Sequence, residues 1–277
     1  MTKEKWVEIW DDKENFKLTD IYGLNFLDYE LIESSVKTNE VDMPGVDGVM
    51  VGTNTLEPFD IVLNFFFDGA DKHDLNLFAE KLRKKLRRRD PFYLRHSYLP
   101  GIKYAINSAE INYEKLNHSD AEITMTFHCY KGYAESLYDT GQFSLSSGEW
   151  QFEAVARADD SIKYKHTNDY FNIYNGSSDT IDPLLRHKLQ IQIKADAPEG
   201  ITIRNLTTGD KFVYKKPLTP SKTLMIQGVH PLLDGNRVGI DTNWQWITLD
   251  PGYNTIKIEN DSIRSIETQW SFNFIYR

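Results

Sequence analysis

FDIVLNFFFDGADKHDLNLFAEKLRKKLRRRDP, residues 59–91, carries two periods in one stretch. From Phe59 to Phe67 apolar and other residues alternate as on a half-buried strand. From Asp71 the period changes. Asp71 is placed as an N-cap with Asp74 three residues on, and Leu75, Phe78, Leu82 and Leu86 follow at spacings of three and four, the stripe of an amphipathic helix. Pro91 ends it. The last turns hold Lys81, Arg83, Lys84, Lys85, Arg87, Arg88 and Arg89, where the helix dipole favours positive charge. No other stretch gives a convincing helix, so the expected fold is mostly β with one helix in its first half.

Working outward, Trp6 to Trp10 and Ala121 to Tyr130 also alternate, the latter with Ile123, Met125 and Phe127 between Thr and Glu. The second half reads as short strands separated by turn chemistry: Asn175-Gly176, Pro198-Glu-Gly200, Thr208-Gly-Asp210, Asp234-Gly-Asn236 and Asp250-Pro-Gly252. Leu189, Ile191 and Ile193 alternate, as do Ile256 and Ile258, and Trp270, Phe272, Phe274 and Tyr276. Strands at that spacing with no helical period predict an antiparallel β-sandwich. The stretch 139–148 is poor in charge and rich in Gly and Ser, which predicts a first domain over 1–138, a linker over 139–149 and a second domain over 150–277. There is no internal repeat.

The chain has 277 residues, 40% apolar and 13% aromatic, with 15 Tyr, 15 Phe and 6 Trp, enough for about two cored domains and against a disordered or fibrous class. Net charge is -9, the wrong sign for a general nucleic-acid binder. The charge is uneven: residues 1–80 hold 18 acidic and 6 basic side chains, residues 81–95 hold 8 basic and 1 acidic, and the part from Gly141 onward is nearly neutral with 16 and 15. One cysteine, Cys129, excludes an intramolecular disulfide. The first dozen residues mix charge into apolar positions, unlike a signal peptide, and the Phe59 to Phe67 run is too short to span a bilayer. The expectation is a protein kept soluble in a cytoplasm, or carried out by something other than its own leader.

Catalytic signatures are missing. The sequence has no G-x-x-x-x-G-K-S/T or G-x-G-x-x-G loop, no G-x-S-x-G elbow and no H-E-x-x-H, so no nucleotide, nucleophile or metal site is expected, and no cofactor. Cys129 reads as a small buried hydrophobe, and the adjacent His128 points to the opposite strand face. The acid pairs Asp11-Asp12 and Asp159-Asp160 read as solvated. Trp244, Trp246 and Tyr253, near His230, Arg237 and Asn254, are candidate saccharide contacts, against the blander expectation that Trp244 and Trp246 face the core. Seven cations between Lys81 and Arg89 repel one another, so a neutralising partner would stabilise them. The acidic segment of another copy is one such partner, in a heterologous contact of the kind that closes rings.

Several segments together resemble the distal tail proteins of siphovirus-type bacteriophages. In the first half these are Pro44-Gly-Val-Asp-Gly48, Phe59 to Phe67 with its helix, Tyr93 to Tyr104 with Pro100, and Ile123 to Cys129. In the second they are Phe171-Asn-Ile-Tyr-Asn-Gly176 with Asp182-Pro183, Ile201 to Gly209, and Trp246 to Asn254. The resemblance implies an N-terminal β-rich ring-forming (belt) domain and a C-terminal galectin-like sandwich. It implies a homo-hexameric hub without enzymatic activity at the tail tip of the virion, assembled in the host cytoplasm. The hub would join tail tube to baseplate or tail-fibre proteins, with DNA passing through its channel and no membrane contact. A galectin-type sugar triplet is not expected, because His230 is separated from Asn236-Arg237 by Pro231 and an Asp-Gly turn. The alternative function is carbohydrate binding during host adsorption.

Overall fold

The computed structural model describes residues 4–142, 162–260 and 262–277. Its chain divides into two compact units, Met1–Ala134 and Glu135–Arg277.

The first unit contains β1 (Val7–Trp10), β2 (Asn15–Lys17), β3 (Leu24–Ile32), β4 (Val36–Lys37), β5 (Glu40–Asp42), β6 (Val49–Val51), β7 (Thr55–Leu56), β8 (Phe59–Phe67), α1 (Lys72–Leu86), β9 (Phe92–His96), β10 (Ile102–Lys115) and β11 (Ala121–Cys129). Seven strands pair antiparallel in the order β2-β1-β9-β10-β11-β8-β3. Alternation sets the core: Ile61, Leu63, Phe65 and Phe67 of β8 and Ile123, Met125 and Phe127 of β11 are buried on one face. Leu75, Phe78, Leu82 and Leu86 of α1 are buried too, and the Phe78 ring stacks on Phe67 at 4.1 Å. The N-cap is as expected, with Asp71 Oδ1 accepting from the backbone N–H of His73 at 2.7 Å and of Asp74 at 2.9 Å. These bonds, that of Asp74 foremost, hold the Asp71 carboxyl below its ordinary pKa. The helix stops at Leu86, four residues before Asp90 and ahead of Pro91, with Arg87 as its C-cap.

Between β3 and β8 the chain runs out and back as a narrow ribbon. Its ladders are Val36↔Leu56 with Lys37↔Thr55, then Glu40↔Val51, Val41↔Met50 and Asp42↔Val49. They continue the β3–β8 pair, whose last partners are Ile32↔Asp60.

The second unit contains β12 (Ala134–Ser136, starting on the last residue of the first), β13 (Lys165–His166), β14 (Tyr170–Asn175), β15 (Leu189–Asp196), β16 (Ile201–Asn205), β17 (Lys211–Tyr214), β18 (Leu224–Gln227), β19 (His230–Leu233), β20 (Asn236–Arg237), β21 (Gly252–Glu259), β22 (Ser265–Phe272) and β23 (Ile275–Tyr276). One sheet runs β13-β22-β15-β18-β19-β20 and the other β14-β21-β16-β17. Their inner faces, with Ile191, Ile193 and Trp270 on one and Ile173, Ile203, Phe212 and Ile256 on the other, form a buried core, and Phe171 meets Trp270 edge to face at 6.2 Å. The antiparallel sandwich read from the turns is present. Asp234 and Gly235, at φ 47° and 84°, make the tight β19–β20 turn.

The division between units falls ahead of the expected one. Glu135 to Gln142 run along the C-terminal strands: Ser136 N donates to Phe274 O at 2.8 Å, and buried Thr140 donates to Trp270 O at 2.9 Å and accepts from Phe272 N at 3.1 Å. A segment of linker composition is ordered here because its backbone and hydroxyl groups complete another strand's hydrogen bonds. Residues 143–149 of the expected linker, and Asp159-Asp160, lie outside the described residues.

Candidate assembly surfaces

The seven cations of the helix end are not equivalent. The Arg88 side chain is 10% exposed, donates through Nη1 to Asp11 at 2.7 Å, through Nη2 to Glu14 and through Nε to Lys85 O at 2.8 Å, and lies over the rings of Phe16 and Phe92. Lys85 pairs with Glu14 at 2.9 Å and sits 4.6 Å from the Phe16 centroid. These two therefore neutralise the β1–β2 hairpin of their own subunit, which corrects the expectation that they await a neighbour. Backbone N–H groups of Glu14 and Lys13, reinforced by Arg88, hold the Asp11 carboxyl below its ordinary pKa. Arg83 pairs with Glu80 one turn back. Lys81, Lys84, Arg87 and Arg89 make no ion pair among the described residues, and Lys81, Lys84, Arg87 and Arg89 are all exposed.

The sheet face turned away from α1 has the opposite sign. Cross-strand register puts Glu110↔Thr126↔Val62↔Glu30 in one row, Asn112↔Thr124↔Asn64↔Asp28 in the next, and Glu114↔Glu122↔Phe66↔Asn25 in a third. Partners in register point to the same side. With Asp60 in the adjoining row, this face carries Asp28, Glu30, Asp60, Glu110, Glu114 and Glu122, and no Lys or Arg in those rows. Asp60 Oδ1 lies 2.7 Å from His128 Nδ1, and Asp60 makes no ion pair with Lys or Arg among the described residues. Total charge concealed this face. Its signal is the placement of acids at even spacing within single strands, Asp28 and Glu30 in 24–32 and Glu110 and Glu114 in 102–115.

The ribbon between β3 and β8 is the third surface. Val36, Val41, Val46, Met50 and Val51 are all more than half exposed, with Val51 at 67%. A two-stranded ribbon is marginal in water by itself, and contiguous exposed apolar residues mark an interaction site. The sequence reading missed it, although the run Val49-Met50-Val51 has no polar alternation.

In the second unit one of the three candidate aromatics, Trp246, lines a cleft that Trp244 and Tyr253 do not line. Trp244 is 70% exposed, Trp246 is half-buried, and the core positions that follow are taken by Ile247 and Leu249, so the expectation of core-facing tryptophans is corrected. Tyr253 stands on the outer face of β21, 5.0 Å from the Tyr174 ring. His230, Asn236 and Arg237 are exposed on β19 and β20, where Arg237 pairs with Leu232 and Asn236 with Leu233, leaving His230 opposite neither. Cys129 is buried. Among the described residues no group of three or more His, Cys, Asp or Glu is placed to hold a metal ion, and no helix is long and apolar enough to cross a membrane.

Comparison with known proteins gives this geometry its context. Residues 16–129 match the phage tail protein RIFT-related domain. No curated protein matches the sequence. Among solved structures, the Dit (gp 19.1) protein of phage SPP1, described as a paradigm of the hub adsorption apparatus in phages infecting Gram-positive bacteria, aligns over 97% of this chain and 99% of its own, at 14% identity and a TM-score of 0.61. The phage P2 baseplate in its activated conformation with Ca aligns over 98% of each chain at 12% identity, but its TM-score of 0.40 is too low to carry an argument. Residues 16–129 are thus similar to the phage tail protein RIFT-related domain, and the fold of the chain, mostly β with one α-helix among the described residues, is like that of the SPP1 Dit protein.

Proposed function

We propose that this chain is a structural hub of the tail tip, without catalytic activity, that closes through copies of itself into a homo-hexameric ring. The ring joins the tail tube to the baseplate or tail-fibre proteins of the adsorption apparatus, in the virion tail, after assembly in the host cytoplasm. The exposed apolar ribbon between β3 and β8 carries the reading. A surface that the subunit itself leaves wet needs a partner, and a neighbouring copy supplies one at every position of a closed ring. The unpaired Lys81, Lys84, Arg87 and Arg89 add charge complementarity to acidic surface on the next copy.

The acidic face of β10, β11, β8 and β3 suits the channel wall. A surface of carboxylates without Lys or Arg repels phosphate and lets DNA pass without binding, where a basic one would hold it. The second unit is a galectin-like sandwich serving as a docking module. Electron microscopy of the purified protein tests the reading: rings with a central hole are expected, and particles of single-subunit size at every concentration would contradict it.

A further inference from the structure

We propose that the second unit carries a saccharide site for a neutral hexopyranose, in the cleft between the β16–β17 turn and the segment leading to Ile247. The inference is independent of ring formation, since every residue it uses belongs to the sandwich. Gly209, Asp210, Lys211, Gln245 and Trp246 line an opening of about 270 Å³. That lies at the small end of the ~300–1,000 Å³ range of small-molecule sites.

The chemistry of the lining is that of a polyol site. Trp246, half-buried, gives an aromatic wall for the C–H face of a sugar ring. Asp210 is fixed: its Oδ2 accepts from Thr208 Oγ1 at 2.7 Å, from Thr248 N at 2.7 Å and from the Thr248 hydroxyl. Its Oδ1 accepts nothing among the described residues, so one carboxylate oxygen is oriented and unused. Lys211, exposed, lines the same cleft and brings a donor. Gln245 Oε1 accepts from Asn243 Nδ2 at 3.0 Å, which leaves the Gln245 amide N–H groups to donate. One acceptor between donors matches hydroxyls, which both give and take. Asp210 and Lys211 offset one another's charge at the cleft, which favours a neutral ligand over an ion of either sign.

The neighbouring loop is held open at a structural cost. Trp244 has φ 57°, rare for a bulky residue, and still presents its indole to water. Both sides of it are tied down. Thr242 Oγ1 accepts from Trp244 N at 3.2 Å and donates to Gly239 O at 2.7 Å, while Asn243 accepts from Val213 N at 3.0 Å and donates to Lys211 O at 2.7 Å. Any Cβ on Gly239 would come within 3.1 Å of the Trp244 ring, so glycine there makes room for it. A loop so constrained, exposing one tryptophan beside a cleft walled by another, is preorganised for a ligand.

The test is saturation-transfer-difference NMR on the full-length protein with the methyl pyranosides of glucose, galactose, N-acetylglucosamine and rhamnose at millimolar concentrations. At least one should receive saturation, and the double variant Lys211→Ala/Gln245→Ala, both exposed positions, should weaken its binding about tenfold or more. Tyr253→Ala, outside the cleft, should leave it unchanged. Saturation of none of the four overturns the proposal, as does binding that the double variant leaves intact or that Tyr253→Ala abolishes. A double variant that binds no sugar differently yet loses a tail-protein partner would assign the cleft to protein docking and overturn it as well.

Discussion

His96 is fully buried on β9, within the rings of Phe26, Tyr29, Tyr98 and Tyr104, and neither ring nitrogen has a hydrogen-bond partner among the described residues. Burial pushes its pKa down from 6.5 to about 4. At pH 7 the imidazole is neutral in both folded and unfolded chains. As pH falls below about 6.5 the unfolded chain takes up the proton and the folded one does not, so stability is lost down to pH about 4 and no further below it, by about 3 kcal/mol from this group. Urea unfolding of the full chain at pH 7 and pH 4.5 should show that loss in the wild type. His96→Phe should remove most of it and be neutral or stabilising at pH 7, because it deletes two unpartnered buried nitrogens. An unchanged acid slope in the variant would refute the assignment.

Arg88 and Arg89 make a second comparison at this scale. Arg88→Ala removes the ion-pair partner of Asp11 and one of Glu14 while Asp11 keeps its two backbone N–H donors, and should cost about 1.5 kcal/mol, the loss of hydrogen bonds to charged groups. Arg89→Ala changes an exposed position and should stay within about 0.5 kcal/mol of wild type. Thermal or urea unfolding separates the two. Equal effects would mean that the Asp11–Arg88–Glu14 cluster contributes nothing. Adjacency in sequence concealed the difference, since helical spacing sends neighbouring side chains in different directions and the acids that select Arg88 lie more than 70 positions away.

Among the elements, those with a strong local period were legible. Phe59–Phe67, α1 with its Asp71 cap, Ala121–Cys129 and the turns of the second half all follow from alternation, helical spacing or turn residues. What could not be read depends on pairing at long range. The acidic sheet face exists only once β10, β11, β8 and β3 are in register, and Trp244 is exposed because a left-handed backbone turns it out of an otherwise regular alternation. The β4–β7 ribbon was missed for a different reason: its apolar residues look like core until the fold shows nothing over them. Val41→Glu/Val51→Glu tests it. Both side chains are exposed, so the subunit's melting temperature should hardly move, whereas charge placed in an apolar contact between copies should abolish assembly. Size-exclusion chromatography with light scattering reads the second effect. A variant that assembles like wild type would move the interface elsewhere.

In the proposed ring, three surfaces of the first unit would divide the work: the apolar ribbon would bind the neighbour, the exposed cations at the end of α1 would complement acid, and the acidic sheet face would repel what passes through. The second unit is a separate sandwich with its own core, and its candidate cleft needs no neighbour. Native mass spectrometry of the wild-type protein tests the central claim most directly. The account predicts a species of six times the 32.2 kDa subunit mass at low salt, with a smaller share of it at high salt as the contacts of Lys81, Lys84, Arg87 and Arg89 are screened. Subunit mass alone at every concentration and salt would contradict it.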